Sequence, residues 1–282
     1  EALANVIGGL KNADRGKLIM ACGTGKTFTA LKITETIVPD GGNVLFLCPS
    51  ISLISQSFAE WAAQAEKPLN CFAVCSDPKA GKNDEEDIST HELAFPAHTN
   101  PRLLVKQIKA RATLKKKNLN VIFSTYQSIA VISEAQQLGL PKFDLIVCDE
   151  AHRTTGVEQT ELSGKEASAF VSVHKEDFIK AKKRLYMTAT PRIYDDASKG
   201  KAKDADVQLY SMDDPAIYGA ELHRLDFSEA VRKDLLSDYK VMVLAVDESF
   251  IDKNFQRIIA DKNNELKAPD VVKIVGCYNG LK

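Results

Sequence analysis

The chain lacks an excess of charge of either sign: 37 Lys and Arg stand against 38 Asp and Glu, for a net charge of −1 over 282 residues. That balance excludes a globally basic nucleic-acid binder but leaves room for a local basic face. It also lacks any apolar run approaching the roughly 20 residues needed to span a bilayer, and no basic-then-apolar leader opens it. No contact with a membrane is therefore expected. Residue 1 is Glu, so the native start is expected upstream. Cysteine pairs at zinc-finger spacing are missing too. The six cysteines are Cys22, Cys48, Cys71, Cys75, Cys148 and Cys277. Cys71 and Cys75 have no second pair and no suitably placed His, which favours reduced core thiols over a metal site or disulfides. No histidine–cysteine or carboxylate cluster supports nuclease chemistry. What remains, 44% hydrophobic and 27% charged, can bury one sizeable core or two modest ones.

Short apolar runs alternate with amphipathic segments. Strands are expected at 17–22, 43–48, 71–75, 120–124, 143–148, 184–188 and 240–246, and helices at 26–37, 51–66, 101–116, 127–137 and 228–235. Such alternation predicts an α/β fold, a mostly parallel sheet with helices on both faces. The strands are apolar throughout, as burial on both sides requires. Two polar stretches, 76–100 without a period and 193–206 rich in Asp, Lys, Gly and Ser, break the pattern and are expected as surface insertions. Residues 1–250 are expected to form one domain. The remainder, 251–282, reads as a linker or the opening of a second domain.

Two segments more than a hundred residues apart carry the chemistry. The first is Met20-Ala21-Cys22-Gly23-Thr24-Gly25-Lys26-Thr27, an apolar run, a glycine-containing loop and a helix start. Glycines let backbone N–H groups approach phosphate oxygens, and the helix N-terminus adds partial positive charge. Gly23, Thr24, Gly25, Lys26 and Thr27 are the candidate nucleotide-binding residues. Lys26 would reach the β- and γ-phosphates and Thr27 would offer a hydroxyl to Mg²⁺. The strict pattern wants Gly at position 20, where this chain has Met20. A Gly-Lys-Thr at a helix start also arises by chance; the second segment argues against chance here. That segment, Leu145-Ile146-Val147-Cys148-Asp149-Glu150-Ala151-His152, puts two carboxylates at the end of an apolar strand, where open α/β sheets bind ligands. Asp149 would hold Mg²⁺ and Glu150 would orient or deprotonate the attacking water. Together the segments imply transfer of a phosphoryl group from ATP to water, with Lys26, Asp149 and Glu150 catalytic.

These residues resemble a known family. Asp149-Glu150-Ala151-His152 is similar to the DEAH form of helicase motif II, and Thr188-Ala189-Thr190-Pro191 to motif III. Pro49-Ser50-Ile51-Ser52-Leu53 with Gln56 resembles motif Ia, and Ser124-Thr125-Tyr126-Gln127 the motif that precedes the acidic strand. Their order resembles the first RecA-like domain of superfamily 2 helicases and translocases over roughly residues 15 to 250. A narrower likeness is to the bacterial Type ISP restriction–modification enzymes. It rests on the two segments above, on residues 153–156, on Tyr218-Gly219-Ala220-Glu221-Leu222-His223-Arg224-Leu225 and on residues 236–241.

The resemblance implies ATP and Mg²⁺ as cofactors, with ATP lying against a second RecA-like domain that supplies the transition-state arginines. It implies a double-stranded DNA partner and a bacterial cytoplasmic setting. His152, Thr188 and Thr190 would couple hydrolysis to movement. Ser50, Ser52, Thr125 and Gln127 would touch DNA phosphates, although each of these Ser and Thr residues also fits a helix N-cap. The basic run Arg102, Lys106, Lys109, Arg111, Lys115, Lys116 and Lys117 reads as a solvated helix face or as part of the DNA path. Two other readings stay open: an RNA-dependent ATPase of the same superfamily, and a nucleotide-gated binding module without turnover. Glu150 argues against the last.

Overall fold

The computed structural model describes residues 1–75, 99–112, 117–157, 169–205 and 207–238. The strands run β1 (Arg15–Met20), β2 (Asn43–Cys48), β3 (Leu69–Val74), β4 (Leu119–Thr125), β5 (Leu145–Cys148), β6 (Gly156–Val157), β7 (Arg184–Thr188), β8 (Leu209–Tyr210) and β9 (Ala220–Leu225). Seven of them form one sheet in the order β3-β4-β2-β5-β7-β1-β9, every pairing parallel. β6 and β8 pair separately as a short antiparallel ribbon. This is the α/β architecture expected from the sequence.

Helices cover both faces. α1 (Ala2–Asn12), α2 (Lys26–Ile37) and α3 (Ile51–Gln64) pack on one side, while α4 (Pro101–Ala112) and α5 (Ile129–Gln137) pack on the other. β2 shows why its sequence reads as one apolar run. Val44, Phe46 and Cys48 belong to the first core, and Leu45 and Leu47 belong to the second. Side chains alternate with period two, and with both faces covered neither set can be polar.

Two elements differ from expectation. The polar stretch 193–206, expected as a surface insertion, carries helix α6 (Asp196–Asp204). Asp195 caps it, its carboxylate accepting from Ser198 N at 2.7 Å, and Ala202 is its one buried residue. A helix with so narrow a buried face leaves no apolar stripe to read. β9 was not expected as a strand either. It is an edge strand that mixes charged and apolar residues, and the exposed Glu221 and Arg224 pair at 2.5 Å. Past β8, α7 (Pro215–Tyr218) leads into β9, and α8 (Phe227–Arg232) follows.

The described sheet and helices form one compact unit, Glu1–Leu236. The expected strand at 240–246, the boundary at 250 and the segment 251–282 lie outside the described residues, as do Lys115, Lys116, Cys277 and most of the stretch 76–100. Among the described residues, no helix is long and apolar enough to cross a membrane.

Candidate nucleotide site

The sheet order brings the two chemical segments together. The glycine loop leaves the carboxyl end of β1, and Asp149 follows the carboxyl end of β5. β7 lies between those strands and delivers Thr188 in register with Ile19. All three groups therefore share one end of the sheet, at neighbouring strands.

In the loop, Gly23 and Gly25 hold φ 79° and 83°, left-handed backbone that side-chain-bearing residues rarely adopt. Gly25 occupies the N-cap of α2, and a Cβ built on it would meet nothing within 4 Å, so the mouth is open there. Ala21 N donates to Leu225 O at 2.9 Å, which ties the loop to β9. Thr24 folds its hydroxyl back onto Ala21 O at 2.7 Å. Lys26 Nζ donates to Met20 O at 3.2 Å, so the ammonium lies across the loop itself. A loop of left-handed glycines under a lysine at a helix N-terminus fits the phosphate chain of a nucleotide. Thr27 is half-buried, and its carbonyl accepts the Trp61 indole N–H at 3.1 Å. Cys22, placed with the core thiols by sequence, is instead exposed on this loop. Cys48, Cys75 and Cys148 are buried thiols.

Asp149 is 6% exposed, and burial, with Glu150 beside it, raises its pKa to about 6 against the opposing pull of Lys26. Its carboxylate accepts Glu150 N at 3.0 Å. Glu150 sits at φ 48°, one of the few non-glycine left-handed residues described. A buried carboxylate with so little compensation fits a cation. Among the described residues no three His, Cys, Asp or Glu side chains converge, so Mg²⁺ held by Asp149 and Thr27 would take its remaining ligands from phosphate and water, its usual preference.

His152 Nδ1 lies 3.3 Å from Glu150 Oε2 and 3.0 Å from Thr188 Oγ1. Thr188 Oγ1 also accepts Thr190 N at 3.1 Å. Burial lowers the His152 pKa and so disfavours the charged ring. The three residues expected to couple thus form a chain of contacts, Thr190 to Thr188 to His152, that ends on the Glu150 carboxylate.

Residues 1–193 match the model of the family described as "Type III restriction enzyme, res subunit". The chain belongs to this family. It is 45% identical to the ATP-dependent Type ISP restriction–modification enzyme LlaBIII, solved bound to DNA, with a TM-score of 0.77 over 99% of this chain and 18% of that one. A nuclease-deletion mutant of the Type ISP enzyme LlaGI, solved with a DNA substrate mimic, is 41% identical over 85% of this chain and 18% of that one, TM-score 0.67. The probable helicase A859L of African swine fever virus (isolate Pig/Kenya/KEN-50/1950) is 27% identical over 84% of this chain and 22% of its own length. The chain thus spans about a fifth of the length of these relatives. It is a RecA-like helicase domain of superfamily 2 with ATPase machinery.

Within this helicase domain the residues expected at DNA cluster on adjacent strands, since β2 and β4 end in register at Cys48 and Thr125. Ser50 caps α3, its Oγ accepting Leu53 N at 3.4 Å and lying 2.9 Å from Ser52 Oγ. Gln127 is exposed and reaches Pro49 O at 3.4 Å. Thr125 is buried and donates to Ser128 Oγ at 3.0 Å, so its hydroxyl stabilises the turn. On α4, Arg102, Lys106, Lys109 and Arg111 are all exposed.

Residues that sequence reasoning passed over stand behind the site. Tyr126 OH donates to Asp149 O at 2.8 Å. Tyr218 OH donates to Thr154 O, and buried His174 bridges Thr154 O and Tyr186 OH, each at 3.0 Å. Buried aromatics with polar tips are the signal that could have found them, because such tips require partners.

Proposed function

We propose that this chain is the ATP-binding half of a double-stranded DNA translocase motor of the Type ISP restriction–modification kind, working in a bacterial cytoplasm. The observation that carries the reading is the likeness over 99% of the chain, at 45% identity, to a DNA-bound Type ISP enzyme. The site supports it: cradle, paired carboxylates and Thr188 occupy neighbouring strand ends.

Gly23, Thr24, Gly25 and Lys26 bind the phosphates, and Thr27 and Asp149 hold Mg²⁺. The bound metal supplies charge neutralisation on the phosphates. Glu150 orients and deprotonates water, its carboxylate kept in place by its backbone turn and by His152. Ser50, Ser52 and Gln127 meet the DNA backbone with no base readout, as a motor that steps along any sequence requires. The transition-state arginines belong to a second RecA-like domain. Such an arginine contributes about 10³–10⁵ in rate in related enzymes.

The isolated chain is therefore expected to bind ATP weakly and turn it over very slowly. The test is ATP hydrolysis by this chain and by a version extended through the next domain, each with duplex DNA, with RNA and with neither. Stimulation by duplex in the extended form alone is the expected result. Equal turnover by the isolated chain would remove the split site, and stimulation by RNA alone would remove the DNA motor.

A further inference from the structure

Gln127, expected to face DNA and exposed, follows a residue that is buried. Tyr126 is 0% exposed and opens the one-turn 3-10 helix that follows β4. Its ring stacks on Phe170 with centroids 5.0 Å apart, and its hydroxyl donates to Asp149 O at 2.8 Å. The carbonyl it holds belongs to the peptide joining Asp149 to Glu150. The N–H of the same peptide donates to the Asp149 carboxylate at 3.0 Å. One peptide plane is thus gripped at its oxygen by Tyr126 and at its nitrogen by the carboxylate expected to bind metal.

That plane leads directly into Glu150 at φ 48°. A non-glycine residue keeps such backbone only when its surroundings over-determine it. Three contacts do so here: the Tyr126 hydroxyl, the N–H grip on Asp149, and Arg153 N donating to Glu150 O at 2.9 Å. On its other side Asp149 N donates to Leu47 O at 2.9 Å, so β2 anchors the residue while Tyr126 sets its tilt. A phenol has no slack between ring and hydroxyl. Movement of the 125–128 turn is therefore passed to the 149–150 peptide, and through it to both carboxylates.

We propose that Tyr126 is a positioning residue that transmits DNA contact at the 125–128 turn to the metal-binding and water-activating carboxylates, Asp149 and Glu150. This route is separate from His152 and Thr188, and it rests on the motor reading above.

The test uses Tyr126→Phe, which removes one oxygen, in the full-length protein. Phe170→Leu serves as its companion because it disturbs the ring stack and keeps the hydroxyl. The first readout is binding of a fluorescent ATP analogue titrated with Mg²⁺. Tyr126→Phe is expected to lower the Mg²⁺-dependent gain in affinity about fivefold, the scale of one lost hydrogen bond, and to leave Mg²⁺-free binding unchanged. The second is duplex-stimulated turnover, expected to fall about tenfold at an unchanged half-stimulating DNA concentration, the pattern of a lost coupling and not of lost binding. Phe170→Leu is expected to keep both. Wild-type values in Tyr126→Phe overturn the proposal. So does a shift of the Mg²⁺ readout alone, and so do equal losses in Phe170→Leu, which would mark ring packing as the cause. A wild-type protein that no duplex stimulates would sink the motor reading instead, and an unchanged Mg²⁺ titration in Tyr126→Phe would then overturn this proposal by itself.

Discussion

His174 has both ring nitrogens committed. Nε2 donates to Thr154 O, which leaves Nδ1 to accept from Tyr186 OH. Its ring stacks on Tyr210 at 4.9 Å and meets Tyr218 edge-on at 4.8 Å. Burial, with Arg15 and Arg184 close by, pushes its pKa down to about 3. The sign follows from linkage. Between the ordinary 6.5 and about 3 the unfolded chain binds the proton and the folded one does not. The contribution to stability is therefore complete above about pH 6.5 and is lost as pH falls, at up to about 1.4 kcal/mol per pH unit. Asp149 acts in the opposite sense: its pKa is raised to about 6, so its burial costs stability above that pH and the cost is relieved on acidification. His174→Phe is expected to be less stable than wild type at pH 7, because Thr154 O and Tyr186 OH lose a partner. It should also lose less stability between pH 7 and pH 5. Urea midpoints at the two pH values check this, and equal drops in both proteins would refute it. These residues also mark the limit of what was legible at this scale. Lys26, Asp149 and Glu150 could be proposed from the sequence because phosphoryl transfer calls for a lysine at a glycine loop and carboxylates at a strand end. His174 and Tyr126 were not, because their partners are set by packing and lie 20 and 23 positions away.

α3 shows how an element joins the two sides of the site. Its first turn carries Ser50 and Ser52, and near its end Trp61 is fully buried, edge-on to Phe46 at 5.1 Å and to Phe123 at 5.6 Å. The Trp61 indole N–H donates to Thr27 O on α2. Lys32 and Glu35 on α2 bind the chain that leaves α3: Lys32 reaches Glu66 at 2.9 Å, and Glu35 accepts Glu66 N at 2.6 Å and Lys67 N at 2.8 Å. Desolvation would raise the Glu35 pKa, but the bonds from Lys67, Lys32 and Glu66 outweigh it and hold it below its ordinary value. Trp61→Ala is expected to cost about 3–5 kcal/mol through lost transfer energy and a cavity. Total stability of a domain is only about 5–15 kcal/mol, so a urea melt followed by circular dichroism should show a midpoint far below wild type. A shift within error would mean that α3 is not fastened through this side chain. Element positions were legible to the same depth as their burial. β2 matches the run 43–48 because both its faces are apolar, and β7 matches 184–188 because every residue in it is buried. β9 and α6 escaped because an edge strand and a solvent-facing helix owe little to the core.

At the scale of the whole molecule, the sheet order sets the residues proposed to bind and those proposed to couple on different strands. β7 stands between the strand that ends in the phosphate loop and the strand that ends in Asp149, and Thr188 closes it. Its hydroxyl meets His152 Nδ1 at 3.0 Å and Thr190 N at 3.1 Å, and the His152 ring also meets Glu150. Among the described residues, the Thr188 hydroxyl makes its hydrogen bonds to His152 and Thr190 and not to the glycine loop or the Asp149 carboxylate. Removing its hydroxyl should therefore spare ATP binding. It should instead free the His152 ring and the Thr190 turn to move independently, so that events at Glu150 no longer register on the segment after β7. In the full-length protein Thr188→Ala is expected to bind ATP within about twofold of wild type and to lose about tenfold in duplex-stimulated turnover or translocation, the range of a coupling energy carried by contiguous contacts. Thr188→Ser restores the oxygen and should restore most of the loss. That rescue separates a hydroxyl relay from simple packing at a residue that is 0% exposed. Strand-displacement measurement of translocation reads the effect directly, and normal movement by the alanine variant would eliminate Thr188 as the link.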